Sequence, residues 1–128
     1  VRALDIYKIE KELQEFVDRF IEENTVLKEF SVEQELEVEE YTEKYIDKLI
    51  DKLIDAIEEK LMEYGIDVAY ISVYFEYGKS LSDNGTIAGD VLGVYITLEL
   101  SYEEIIEIEA FEIEKTANKI ILPVLKHD

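Results

Sequence analysis

Apolar positions in this chain recur with two different periods, and the period changes along its length. Over residues 5–23, Ile6, Ile9, Leu13, Phe16, Val17 and Phe20 return every three or four positions and form one stripe, which predicts an amphipathic helix. Asp5 is placed to cap its first turn, and Asn24 fits just past its end. Over 41–64 the fourfold-spaced run Ile46, Leu49, Ile50, Leu53, Ile54, Ile57, Leu61 and Tyr64 covers an arc of about 140°. A second helix is predicted there, stopped by Gly65.

Between and after these segments the period drops to two. Phe30, Val32, Gln34, Leu36 and Val38 alternate with Glu29, Ser31, Glu33, Glu35, Glu37 and Glu39, the pattern of a strand with one wet face. Ser31 and Gln34 are also spaced as a capping box, which would start a helix instead. A helix from 32 would place Glu35 and Glu39 in its apolar arc, so a strand over 26–39 is preferred. Residues 104–115 pose the same choice. Ile106, Ile108 and Ala110 alternate with Glu107 and Glu109, then Phe111 and Ile113 shift phase as a β-bulge would require. The competing helix, capped by Ser101 and Glu104, would put Glu109 mid-face, so a strand is preferred again. A last strand over Lys119 to Leu125 contains Pro123, which suits a sheet edge.

The sharpest expectation concerns residues 67–101. Asn84-Gly85 is a strong signal for a two-residue hairpin turn of type I′. That turn makes cross-strand partners sum to 169. Phe75 then faces Val94, Val73 faces Ile96, Ile71 faces Leu98, Ala69 faces Leu100 and Tyr77 faces Leu92, all on one side. The other side pairs Tyr74 with Tyr95, Ser72 with Thr97 and Tyr70 with Glu99. A slip of one residue would destroy this agreement. The Gly- and Ser-rich distal part, Gly78 to Asp90, is expected to fray into a loop. The whole reads as one α+β domain over 1–128: two helices on one face of an antiparallel sheet of four to five strands.

Composition sharpens the picture by exclusion. Thirteen basic against 32 acidic residues leave a net charge of −19, which disfavours direct binding to nucleic acid or an anionic membrane. Hydrophobic residues at 48% separate the chain from disordered acidic tails. With no cysteine there is no disulfide, thiolate nucleophile or zinc finger. The one histidine, His127, is penultimate and a poor general base. No apolar run suits a bilayer-spanning helix, and Val1-Arg2-Ala3-Leu4-Asp5 lacks the apolar core of a signal peptide, which predicts a cytoplasmic protein. Abundant Glu (23), Ile (17) and Lys (11), with few Asn, Gln, Met and Cys, match the composition of hyperthermophile proteins.

Few residues suggest chemistry. Glu39, Glu40 and Glu43 form an E-E-x-x-E pattern that resembles the magnesium-binding motif of helical nucleotide pyrophosphohydrolases. The resemblance spans five residues. That family is all-helical and needs a further acidic motif on a following helix, whereas a β-hairpin follows here. Gly78-Lys79-Ser80 resembles the end of a phosphate-binding loop, but Val73 stands where its first glycine belongs. The row Asp47, Asp51, Asp55 and Glu59 reads as solvated charge. Ser82, Asp83, Asn84, Asp90 and Glu76 gather oxygens at the hairpin tip, as turn chemistry also demands. No cofactor is expected.

Tyrosine is the more telling signal. Tyr70, Tyr74 and Tyr95, joined by Val68 and Val91, project from the sheet face opposite the aliphatic one, and tyrosine is enriched at interfaces. Either helix 5–23 covers this face as a second core layer, or an uncharged tyrosine patch lies free between acidic strands. The second case predicts a non-enzymatic interaction or regulatory protein that binds another protein, or itself as a dimer, through Tyr70, Tyr74 and Tyr95. An accessory or inhibitor of nucleic-acid-handling machinery would fit the charge. The alternative is a carboxylate-dependent divalent-metal hydrolase using Glu39, Glu40 and Glu43.

Overall fold

A computed structural model describes residues 5–31 and 35–126, with the side chains of 35–42 and of 44 left out of the description. Two helices, α1 (Ile6–Asn24) and α2 (Glu35–Glu63), accompany five strands: β1 (Thr25–Ser31), β2 (Val68–Leu81), β3 (Ile87–Leu100), β4 (Ile105–Lys115) and β5 (Lys119–Leu125). The strands form one antiparallel sheet in the order β1-β5-β4-β3-β2. Leu13 and Val17 of α1, Leu49, Leu53 and Ile57 of α2, and Ile96, Leu98, Ile106, Ile108 and Leu122 of the sheet share one buried core. This is the expected α+β arrangement, with both helices on the aliphatic face.

The α1 helix begins as expected: the Asp5 carboxylate accepts from the Lys8 N–H at 3.1 Å. Asn24 is its final residue rather than the one beyond, and Thr25 caps it by donating to the Ile21 carbonyl. The 26–39 expectation is half corrected. The strand holds through Ser31, but α2 has begun by Glu35 and so runs further toward the N-terminus than 41–64 suggested. Five alternating glutamates mimic a strand, yet Glu is a good helix former and accepts solvent on any helix face. Gln34 of the suggested capping box lies outside the described residues.

The hairpin register is as read from 70 to 80: Tyr74 pairs with Tyr95, Phe75 with Val94 and Tyr77 with Leu92. The turn that sets it is different. Gly85 alone at the tip has positive φ, at 82°, so the type I′ expectation fails because Asn84 does not adopt it. The Ser82 N–H donates to Thr86 (2.8 Å) and the Gly85 N–H to Ser82 (2.9 Å), a turn offset by one residue. A register shift beside Ser80 and Leu81, which leaves Ala88 unpaired, restores the sum of 169. The distal part stays in strand rather than fraying. A second shift leaves Ala69 unpaired, so Val68, not Ala69, faces Leu100 and Val68 joins the core side.

The β3–β4 connection repeats the tip geometry. Leu100 donates to Glu104 (2.8 Å) and Glu103 to Leu100 (3.0 Å), with Glu103 at φ 68° where the first turn has Gly85. The expected bulge in β4 is present: Val94 pairs with Phe111 and Tyr95 with Glu109, leaving Ala110 unpaired.

The sheet is nearly parted between β4 and β5, which pair only at Glu114–Ile121 and Lys115–Ile120. The ladder phase explains this. Thr116 donates to Lys119 (2.9 Å), so Glu114–Ile121 is the next bonded pair and Glu112 with position 123 would follow. Position 123 is Pro123, which has no N–H, and there the pairing ends. Thus Pro123 does not mark an edge strand, because β1 lies outside β5. The backbone of β4 left open by this parting is met by α1. The Gln14 carboxamide donates to the Glu109 carbonyl (2.8 Å) and accepts from its N–H (2.9 Å), as a neighbouring strand would.

Two stability outcomes follow from these contacts. Replacing Gln14 by Ala should lower the unfolding free energy by about 1 kcal/mol, since both bonds lie near solvent. Replacing Glu103 by Gly should raise it by roughly 1 kcal/mol, by relieving the left-handed backbone. Urea denaturation of both variants measures each directly.

Candidate interaction site

The sheet face away from the helices is built by alternation. Strand β2 contributes Tyr70, Ser72, Tyr74 and Glu76; β3 contributes Val91, Gly93, Tyr95, Thr97 and Glu99. From β4 come Glu107, Glu109, Glu112 and Glu114, kept on one face across the bulge at Ala110. The helices pack elsewhere, so α1 is not a second layer over the tyrosines.

Tyr74 and Tyr95 are brought together as cross-strand partners. Their rings stack with centroids 5.1 Å apart and planes 11° from parallel. Gly93 makes the stack possible: a Cβ there would come within 2.8 Å of the Tyr95 ring, which lies over the bare backbone. The Tyr74 hydroxyl donates to the Glu107 carboxylate across β3. Tyr70 is not part of the stack. It is 62% exposed, pairs with Glu99, and lines a separate groove with Leu61, Met62 and Ile66 near the end of α2.

The patch is not uncharged, contrary to the sequence expectation. Tyr95 shares a shallow concavity with Glu76, Glu112 and Glu114. The Glu107 hydrogen bond, then burial and nearby carboxylates, push the Tyr74 hydroxyl pKa up to about 12. Glu109, Glu76, Glu112 and Glu107 surround Tyr95 and also raise its pKa, Glu109 most strongly. Glu109 itself is raised, chiefly by burial and then by Glu112. Carboxylates thus surround the stacked rings, with Glu107 bonded to one phenol and Glu109 beside the other. Read along the chain, the glutamates of β4 are only the wet half of an alternating strand and give no sign of a site. Their place beside the tyrosines depends on β4 pairing with β3 in a register that the bulge sets.

The remaining candidates are not assembled into a site. Glu43 is exposed on α2, while the side chains of Glu39 and Glu40 lie outside the described residues, as does His127. Among the described residues no three His, Cys, Asp or Glu side chains are grouped to hold a metal ion. Asp47, Asp51, Asp55 and Glu59 are exposed along α2. At the hairpin tip the Ser82 hydroxyl bonds Asn84 and Thr86, and Asp90 pairs with Lys79, so these oxygens serve the turn. Among the described residues no helix is long and apolar enough to cross a membrane.

No family model, curated protein or solved structure matches this chain. The stacked tyrosines and the carboxylates around them are the most distinctive chemistry on the surface.

Two pH effects test this arrangement. A phenol whose folded pKa is raised contributes stability that is present below its ordinary value of 10.0 and is lost as pH rises toward about 12. Ultraviolet titration should show Tyr74 ionising late, as Tyr64 also does through its hydrogen bond to Glu12, and Glu107→Gln should return the Tyr74 phenol toward the ordinary range while leaving Tyr64 late. The raised Glu109 contributes stability that is full below its ordinary pKa of 4.5 and disappears as pH rises through the elevated value. Glu109→Gln should therefore raise the urea midpoint at pH 7 and flatten its pH dependence on the acid side.

Proposed function

We propose that this is an acidic interaction protein that binds a basic protein partner through the Tyr74–Tyr95 face of its sheet. One observation carries the reading: a stacked tyrosine pair, with Tyr74 exposed and Tyr95 half-buried, on a face that no helix covers among the described residues, sits among Glu76, Glu107, Glu109, Glu112 and Glu114. Aromatic rings supply contact area and a cation-attracting surface, and carboxylates steer and orient Lys or Arg side chains. The charge of −19 extends that attraction beyond the patch. Machinery that handles nucleic acid presents such basic surfaces, so an accessory or inhibitory role toward it suits this chemistry.

The test uses a lysine- and arginine-rich peptide as probe, with affinity measured at low and high salt. Wild-type binding should weaken as salt rises. The Tyr74→Ala and Tyr95→Ala double variant should lose at least about tenfold in affinity, the scale of a central aromatic contact, with its circular dichroism unchanged. Equal affinity of wild type and a folded double variant would defeat the proposal.

A further inference from the structure

The outer edge of β2 is the longest run of backbone in the sheet without a neighbouring strand among the described residues. Ladder phase identifies the groups that face outward. Leu100 donates to Glu104, so the even-numbered residues of β3 bond β4, and its odd-numbered residues bond the even-numbered residues of β2. The N–H and C=O groups of Ile71, Val73, Phe75, Tyr77 and Lys79 therefore point away from the sheet. Irregularities beside Ala69 and Leu81 bound this row at both ends, and Phe75 is its centre.

The same strand carries little charge of its own along its outer edge. In a chain of net charge −19, β2 carries only Glu76 and Lys79, which cancel. Natural edge strands are usually defended by charges, proline or brevity. Here β1 is half as long and has Glu29 in its exposed row, and the open flank of β4 is occupied by Gln14. By contrast, β2 has 14 residues, no proline, and two exposed rings on its core-facing side: Phe75 at 49% and Tyr77 at 82%.

We propose that β2 pairs antiparallel with β2 of a second copy of this chain, about a two-fold axis through Phe75. Partners then sum to 150. Phe75 faces its own copy, Val73 faces Tyr77 and Ile71 faces Lys79, so all five outward residues are bonded. On the other face, Glu76 falls opposite Tyr74, so no like charges stand directly opposite and the two Glu76 residues are only diagonal neighbours. Centring the axis on Glu76 instead would oppose two carboxylates. Charge favours self-pairing over a basic partner at this edge: the outward row Ile71, Val73, Phe75, Tyr77 and Lys79 holds no carboxylate for a cation to meet, and two strongly acidic copies can approach along it without opposing carboxylates. The two five-stranded sheets would join with their tyrosine faces on one side.

Absence of cysteine makes the test clean. Sedimentation of the full chain should show a mass near twice 15.0 kDa that strengthens with concentration and with salt, since salt screens the repulsion. Salt has the opposite effect on binding of a basic peptide, so the two proposals fail separately. Single-cysteine variants, oxidised mildly, should cross-link rapidly at Phe75→Cys, where paired Cα atoms are close enough for a disulfide, and slowly at Ser72→Cys, whose partner is Gly78. Phe75→Glu should restore the monomer mass. A monomer at every concentration and salt, or cross-linking no faster at 75 than at 72, would overturn the pairing. The cysteine comparison decides the matter even if Phe75→Glu fails to fold.

Discussion

The parting of β4 from β5 governs most of the architecture. A proline at the next bonding position ends that ladder after Ile121, and a sheet that would otherwise be continuous becomes a three-stranded meander joined to a two-stranded ribbon. An opened strand must satisfy its backbone some other way. Gln14 does so for Glu109, which draws α1 to the flank of β4 and brings Leu13 and Val17 into the core with Ile106 and Ile108. Because α1 stays on that flank and the aliphatic side, the opposite face keeps its tyrosines and glutamates in contact with water.

Local rules read from the sequence succeeded where two independent signals agreed. The β2–β3 register followed from the turn and from matched apolar pairs, and it survived a wrong turn type because a bulge at Ala88 absorbed the offset. The β4 bulge was visible as a phase change between Ala110 and Phe111. Where only alternation spoke, as over 35–39, it misled: Glu is a good helix former, and period two alone does not separate a strand from a helix in a Glu-rich chain. Pro123 was read correctly as incompatible with a full ladder but assigned to the wrong place, since which strand flanks it is a non-local fact.

The candidate site was legible in part for the same reason. Tyr74 and Tyr95 share one hairpin, so register alone joined them. Tyr70 was grouped with them by parity but stands two pleats away with no ring to meet. The carboxylates of β4 entered the site only through tertiary pairing. There Glu107 bonds the Tyr74 hydroxyl and Glu109 lies beside Tyr95, and both phenols are pushed up in pKa.

Gln14 also has a consequence for the order of assembly. It lies 95 residues from Glu109 along the chain, whereas β2, β3 and β4 are joined by two tight turns. Contacts of short sequence separation close at small entropic cost, and distant ones close late. The meander is therefore the natural early unit, and the flank of β4 stays open until the first helix arrives. During that interval the glutamate row beside the flank is the nascent chain's protection against pairing with a neighbour. The acidity of the finished surface would then first serve to keep unfinished copies apart.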